Sequence, residues 1–195
     1  MPKYITHDLP KEKEIIFDYS PDVGYLALVD LDSYKFFVKE ELGYDDMLSH
    51  LGTQTINQTC VAWGCPETNL RVRVIFAEDH TPFELVTEYA SGFRRFIRTN
   101  GRLCFTNHGD LYHCAVNPKW SVFKGPDAPA CFLPRVLQIP SGLHSVIVFR
   151  HFGWFESDQD APLLNDGIHY TVILRHYANE LHLGQIRQPS PVPWT

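Results

Sequence analysis

A chain of 195 residues, 44% hydrophobic and 21% charged, can bury one full core without disulfide or metal staples. Its 17 Lys and Arg against 23 Asp and Glu give a formal net charge of -6, which argues against nucleic acid as a direct partner and favours a basic protein surface. Thirteen Phe and nine Tyr, with 14 Pro and 12 Gly, suit many short strands and turns better than long helices.

The N-terminal run M-P-K-Y-I-T-H-D-L-P has no basic segment leading into an apolar one, so no signal peptide is expected. No apolar run nears the roughly 20 residues of a membrane helix. The expectation is a cytosolic protein without a membrane partner. Cys60, Cys65, Cys104, Cys114 and Cys131 then read as small buried hydrophobes. The Asn57-Gln58-Thr59 sequon carries no weight without secretion.

In chain order, residues 1–11 read as a polar arm and residues 14–19 as a strand. Ser20-Pro21-Asp22 is turn chemistry. Residues 23–31 are apolar on both faces and predict a strand inside a sheet. Asp32-Ser33 predicts the cap of a helix over residues 34–42, with Tyr34, Phe37, Val38 and Leu42 as its apolar stripe and Gly43 as its stop. A short helix over 45–51 should end at Gly52. Residues 56–63 and 70–76 predict two antiparallel strands around a turn at 64–67, the second alternating as L-R-V-R-V-I-F.

Residues 81–84 (T-P-F-E) form a capping box with Pro at the first helical position. Phe83, Val86, Ala90 and Phe93 would share one face of the helix, and Gly92 would mark its end or a close contact. Residues 102–107 and 111–117 predict a hairpin about His108-Gly109-Asp110. Residues 118–134 read as a proline-rich loop, 134–139 and 144–149 as strands about Pro140-Ser141-Gly142, 153–167 as a loop, and 168–177 as a long strand. The proline-rich tail, 178–195, should be extended. Residues 32–75 and 81–116 share a predicted element order, a faint internal echo. Together these elements predict a mainly β single domain, an antiparallel β-sandwich with two or three short helices.

No nucleophile elbow, phosphate loop or dinucleotide-binding glycine pattern is present. His108, Asp110, His113 and Cys114 lie close in sequence, but adjacent residues of a strand point to opposite faces, and Cys60-x4-Cys65 is not a zinc-knuckle spacing. No metal, cofactor or catalytic residue is assigned. His144, His151, His169 and His176, on or beside the late strands, carry the alternative: a small-ligand binder or metal-dependent enzyme of sandwich or cupin-like type. Arg94, Arg95, Arg98 and Arg102 form a local basic group, expected to pair with Glu78, Asp79, Glu84 or Glu88.

Two acidic stretches are the candidate docking surfaces. The first is the loop with Trp154, Phe155, Glu156, Asp158, Asp160 and Asp166, where an aromatic anchor sits among carboxylates. The second comprises Asp30, Asp32, Glu40, Glu41, Asp45 and Asp46.

The run F-E-L-V-T-E-Y-A-S-G-F-R-R-F-I-R-T-N-G-R-L-C-F resembles the competence-protein-J-like inhibitors of a DNA-entry nuclease. Gly92-Phe93-Arg94-Arg95 and Gly101-Arg102-Leu103-Cys104-Phe105 hold the places of that family's Gly-Phe segment and following strand. V-L-Q-I-P-S-G-L-H-S-V-I-V-F and G-I-H-Y-T-V-I-L resemble its later strands. The likeness covers residues 70–177, leaving 1–69 as an N-terminal elaboration, and Arg94 replaces a small residue after Gly-Phe. The resemblance implies a non-enzymatic β-sandwich that inhibits by binding. Bacterial immunity proteins paired with secreted toxins are similar in size and acidity, so the expected partner is a basic protein toxin, with a nuclease as the implied class.

Overall fold

The computed structural model describes residues 5–21, 24–66, 68–77, 91–117, 135–151 and 166–177. Strand β1 (Ile5–Asp8), the single helical turn α1 (Leu9–Glu12), strands β2 (Glu14–Tyr19) and β3 (Gly24–Asp30), helix α2 (Tyr44–Ile56), and strands β4 (Cys60–Cys65) and β5 (Leu70–Ala77) come first. Strands β6 (Ser91–Thr99) and β7 (Arg102–Asn107), helix α3 (His108–Val116), and strands β8 (Arg135–Gln138), β9 (Gly142–Arg150) and β10 (Tyr170–Tyr177) follow. The strands form two five-stranded sheets, β1-β8-β7-β3-β4 and β2-β5-β10-β9-β6. The fold is a mainly β sandwich with short helices. Most neighbouring strands are antiparallel, while β1 with β8 and β5 with β10 run parallel.

Alternation explains the interior. In β2 the sequence E-I-I-F-D-Y turns Ile15, Phe17 and Tyr19 inward and leaves Glu14, Ile16 and Asp18 outside. Val72 and Val74 of β5, Val146 and Val148 of β9, and Val172 and Leu174 of β10 meet Leu26, Leu28, Leu103 and Phe105 of the first sheet. Phe105 lies edge-on to Phe17 at 5.2 Å, Tyr19 at 5.1 Å and Trp63 at 5.8 Å, and Trp63 reaches Tyr170 at 6.3 Å. Edge-on aromatic pairs add about 0.5–1.5 kcal/mol each beyond area burial. The space between the sheets is therefore filled with ring and aliphatic side chains.

The other face of the first sheet is covered by helices. Tyr25, Ala27 and Val29 of β3, Cys60 and Ala62 of β4, and Cys104 of β7 pack beneath Tyr34, Leu42, Met47, Leu51, Leu111 and Ala115. Strand β3 is thus buried on both faces, as its near-continuous apolar sequence predicts. Cys60, Cys65, Cys104 and Cys114 are free and buried, and burial pushes the Cys60, Cys65 and Cys104 thiols up, Cys65 to about 12. Cys131 lies outside the described residues.

Several local expectations are corrected. Residues 34–42 form no helix. The Asp30 carboxylate accepts from the Asp32 and Ser33 amides and fixes a turn there, and the amides of Val38 and Lys39 both reach the Ala115 carbonyl. Gly43 starts a helix instead of ending one: its amide donates to the Asp46 carboxylate, and α2 runs through Gly52 to Ile56. Strands β4 and β5 are not a hairpin, because β4 pairs with β3 in one sheet and β5 with β2 and β10 in the other. Residues 91–99 are strand rather than a helix end, paired along their whole length with β9.

Residues 108–116 are helix, not the second arm of a hairpin. Asn107 makes that helix start. Its side-chain oxygen accepts from the Asp110 amide at 3.1 Å, while its amide nitrogen donates to the Tyr19 hydroxyl at 3.0 Å. At the N-terminus the expected arm is ordered into β1 and α1, whose Leu9 is fully buried. In its described part the second predicted repeat runs strand, strand, helix, whereas residues 44–77 run helix, strand, strand, so the echo is not reproduced. The capping box at Thr81, the loop at 118–134 and the tail lie outside the described residues.

The chain crosses between sheets at Asn100-Gly101. Gly101 has φ +109°, and a Cβ there would stand 3.2 Å from the Ile139 carbonyl oxygen, so only glycine fits without a shift.

Candidate functional site

Of the six residues predicted in the acidic aromatic loop, Trp154, Phe155, Glu156, Asp158 and Asp160 lie outside the described residues. Asp166 is described, at the approach to β10. One of its oxygens receives the Arg73 guanidinium at 2.6 Å and the other the Ile168 amide at 3.1 Å. Partial burial opposes ionisation, but the Ile168 amide and Arg73 outweigh it and hold the carboxyl below its ordinary value. Arg73 also reaches Glu14 at 3.2 Å, so Asp166 belongs to a charge network that ties β10 to β5 and β2. Beside it, His151 shares a hydrogen bond of 2.9 Å with the Thr171 hydroxyl. Burial pushes the His151 imidazole down, with Asp166 opposing and Arg73 assisting.

The second acidic stretch separates into buried and exposed parts. Asp30 is fully buried, and its carboxylate accepts from the Asp32, Ser33 and Asn100 amides and from the Ser33 hydroxyl. Asp32 pairs with Arg102 at 2.7 Å. Asp46 accepts from the Gly43 amide at 3.0 Å and from Lys39 at 2.8 Å. Glu40, Glu41 and Asp45 remain exposed, and the same segment exposes two aromatics, Phe37 at 37% and Tyr44 at 56%.

This surface has a fixed base. Leu42 is buried beneath it, the Val38 and Lys39 amides bond the end of α3, and the Tyr112 hydroxyl donates to the Leu42 carbonyl at 3.4 Å. The Tyr44 ring meets His108 edge-on at 5.8 Å. Carboxylates and aromatics on a braced segment at residues 37–45 present the same chemistry that the sequence led us to expect after Gly153. Sequence reasoning missed Phe37 because a helix over 34–42 would have turned it to the core. Gly43 preceding Tyr44-Asp45-Asp46, a helix start with acidic first-turn residues, was the available signal.

The late-strand histidines fall into two separate pairs, His144 with His176 and His151 with His169, whose backbones bond at 2.9 Å. His144 and His176 are register partners on β9 and β10 with ring centroids 4.8 Å apart. The Gly142 backbone lies close against His176, since a Cβ there would stand 3.2 Å from its Nε2. His169 precedes the opposite end of β10, where its Nδ1 accepts from the Arg71 amide at 3.0 Å. An eight-residue strand separates the two sites by roughly 20 Å at about 3.3 Å per residue. His108 packs on Tyr25 at 4.8 Å, on α3. Among the described residues no group of three or more His, Cys, Asp and Glu is placed to hold a metal ion.

The basic group disperses too. Arg94 lies over the rings of Phe96 and Tyr177 at 5.2 and 5.9 Å and donates to the Tyr177 hydroxyl, while Arg102 takes Asp32. The carboxylates expected to pair with this group lie outside the described residues.

No family model matches the sequence, and no curated protein matches it. Among solved structures the chain is similar to one described as "Crocagin biosynthetic gene J", with 17% identity over 84% of this chain and 95% of that one, at a TM-score of 0.48. It is also similar to ComJ of Bacillus subtilis, described as an inhibitor of the DNA degrading activity of NucA, with 8% identity over 84% of this chain and 96% of that one, at a TM-score of 0.45. The likeness to a competence-protein-J structure that the sequence led us to expect is therefore met, at a degree that bears on neither activity nor partner.

Proposed function

We propose that this chain acts by binding rather than by catalysis, as a cytosolic inhibitor or immunity protein that neutralises a basic protein toxin. The observation that carries the proposal is the braced segment of Phe37, Glu40, Glu41, Tyr44 and Asp45, which exposes rings together with carboxylates that form no ion pair among the described residues. Such a surface offers a basic partner apolar anchors inside a field that speeds encounter. A nuclease is the toxin class that the sequence resemblance implies, and carboxylates spaced along a surface can occupy the cationic site such an enzyme keeps for phosphate.

The alternative, a ligand or metal site built from strand histidines, finds less support. The sandwich interior is filled by Phe17, Tyr19, Trp63, Phe105 and Tyr170, and the histidines sit at opposite ends of β10. The test is co-purification and activity assay with the toxin encoded by a neighbouring reading frame. Stoichiometric loss of toxin activity is expected, and failure to bind at low salt overturns the proposal.

A further inference from the structure

Helix α2 has a second apolar face. Met47, Leu51 and Gln54 turn toward the first sheet and are buried. Farther around the helix, Tyr44, Leu48, Gly52 and Ile56 repeat at i, i+4, i+8 and i+12, the spacing of one ridge. Tyr44 at 56% and Ile56 at 71% are the most exposed large apolar side chains among the described residues.

Between them stands Gly52. Glycine weakens a helix interior relative to alanine, so it usually stands where packing demands it. Here, apart from its chain neighbours and the helix's own backbone, no described atom lies within 4 Å of the position its Cβ would take. Packing within the described chain does not require a glycine at that point, and the exposed ridge carries a notch at its middle. The surrounding charge is mainly negative, although Lys39 pairs with Asp46 at 2.8 Å and Lys35 stands near His50. Asp45 and Asp46 occupy the first turn, no Lys or Arg stands anywhere on α2, and Glu40 and Glu41 are exposed just before it.

We propose that this ridge seats an amphipathic helix of the partner protein, whose apolar stripe packs over Leu48 and Ile56 with its closest approach at Gly52. Its flanking Lys or Arg residues meet Glu40, Glu41 and Asp45. Two i±4 ridges interlock at a crossing of about −50°, and a missing side chain at the crossing lets the axes approach. The inference rests on the reading of a basic protein partner and says which part of it docks, and how. A second copy of this chain is the weaker occupant. Thirteen residues of helix span about 20 Å, a footprint well short of the roughly 800 Å² per partner of a stable dimer, and two acidic ridges would repel.

The experiment titrates the full chain with a stapled helical peptide carrying a Leu stripe and Lys flanks, read by amide chemical shifts, with the same stripe flanked by Glu as control. The variants are Gly52→Gln, which fills the notch with a good helix former, and Ile56→Glu. Shifts centred on residues 44–56, loss of roughly tenfold in affinity in either variant with spectra otherwise native, and no binding of the Glu-flanked peptide are expected. Shifts scattered over the surface, full affinity in Gly52→Gln, or sedimentation showing α2 closed in a dimer overturn the proposal. Toxin assays with the same variants separate the two claims. Equal neutralisation by wild type and Gly52→Gln removes the ridge and leaves the inhibitor. Peptide docking on α2 with no toxin bound removes the inhibitor and leaves the ridge.

Discussion

Replacing Asp30 by alanine should destabilise the protein more than any other single acidic-to-alanine change among the described residues. Its carboxylate is fully buried where β3 ends, and it joins two segments far apart in sequence. Oδ1 accepts from the Ser33 amide at 2.8 Å, the Ser33 hydroxyl at 2.6 Å and the Asp32 amide at 3.2 Å, and Oδ2 accepts from the Asn100 amide at 3.0 Å. Hydrogen bonds to a charged group contribute about 1.5–3 kcal/mol each, but such values do not add, and the exposed Asp32, Ser33 and Asn100 regain water when the acceptor is lost. A net loss of about 2–4 kcal/mol follows, equivalent to roughly 5–12 °C in Tm for a chain of this length. Asp30→Asn, which keeps one acceptor oxygen, should lose about half as much. Urea unfolding followed by Trp fluorescence measures both. A loss under about 1 kcal/mol for Asp30→Ala, or an Asp30→Asn protein as stable as wild type, would refute the assignment of Asp30 as the tie between the two turns.

Gly52→Ala should stabilise the free protein by about 0.5–1 kcal/mol, because the helix gains and the added Cβ meets open space, a gain visible in the urea midpoint. His144 is buried against His176, and burial first and that neighbour second push its imidazole down to about 4, with the Gly142 backbone opposing. The unfolded chain then takes up this proton first, so the stability contributed by neutral His144 is present above about pH 6.5 and is lost as pH falls toward 4, by about 3 kcal/mol. His144→Leu should flatten the stability profile across that window; an unchanged slope in the variant would remove His144 as its source. Asn107→Ala should lose about 2–3 kcal/mol, since it removes the α3 cap and the Tyr19 bond together, whereas Tyr19→Phe should lose only about 1 kcal/mol.

The strands were legible where alternation met a tight turn. Residues 14–19 and 70–76 read correctly because period-two burial is written into their side chains, and 102–107 and 144–149 because a short apolar run bounded by turn residues marks a strand buried on both faces. Pairing was not legible, since nothing local tells β5 to leave β4 and join β2 and β10 across the core. Helix α3 was hidden by His108-Gly109-Asp110, a plausible turn until Asn107 is recognised as the cap and Leu111, Cys114 and Ala115 as its buried face. The stripe over 34–42 failed for a related reason. A buried carboxylate at Asp30 and the Ala115 carbonyl offered its backbone better partners than its own next turn. The second acidic stretch was visible as charge, but the division between structural Asp30, Asp32 and Asp46 and exposed Glu40, Glu41 and Asp45 depends on partners distant in sequence or hidden by the missed helix start.

The most direct test of the account is the affinity of the chain for the toxin of a neighbouring reading frame, measured at about 0.1 M and about 1 M salt, where screening shortens from ~10 Å to ~3 Å. The triple reversal Glu40→Lys, Glu41→Lys, Asp45→Lys is measured beside the wild type. Binding that neutralises the toxin, weakens at high salt and falls at least roughly tenfold in the triple variant, with unfolding unchanged, is the predicted result. No binding at the lower salt, or a triple variant that binds as tightly as wild type, would contradict it.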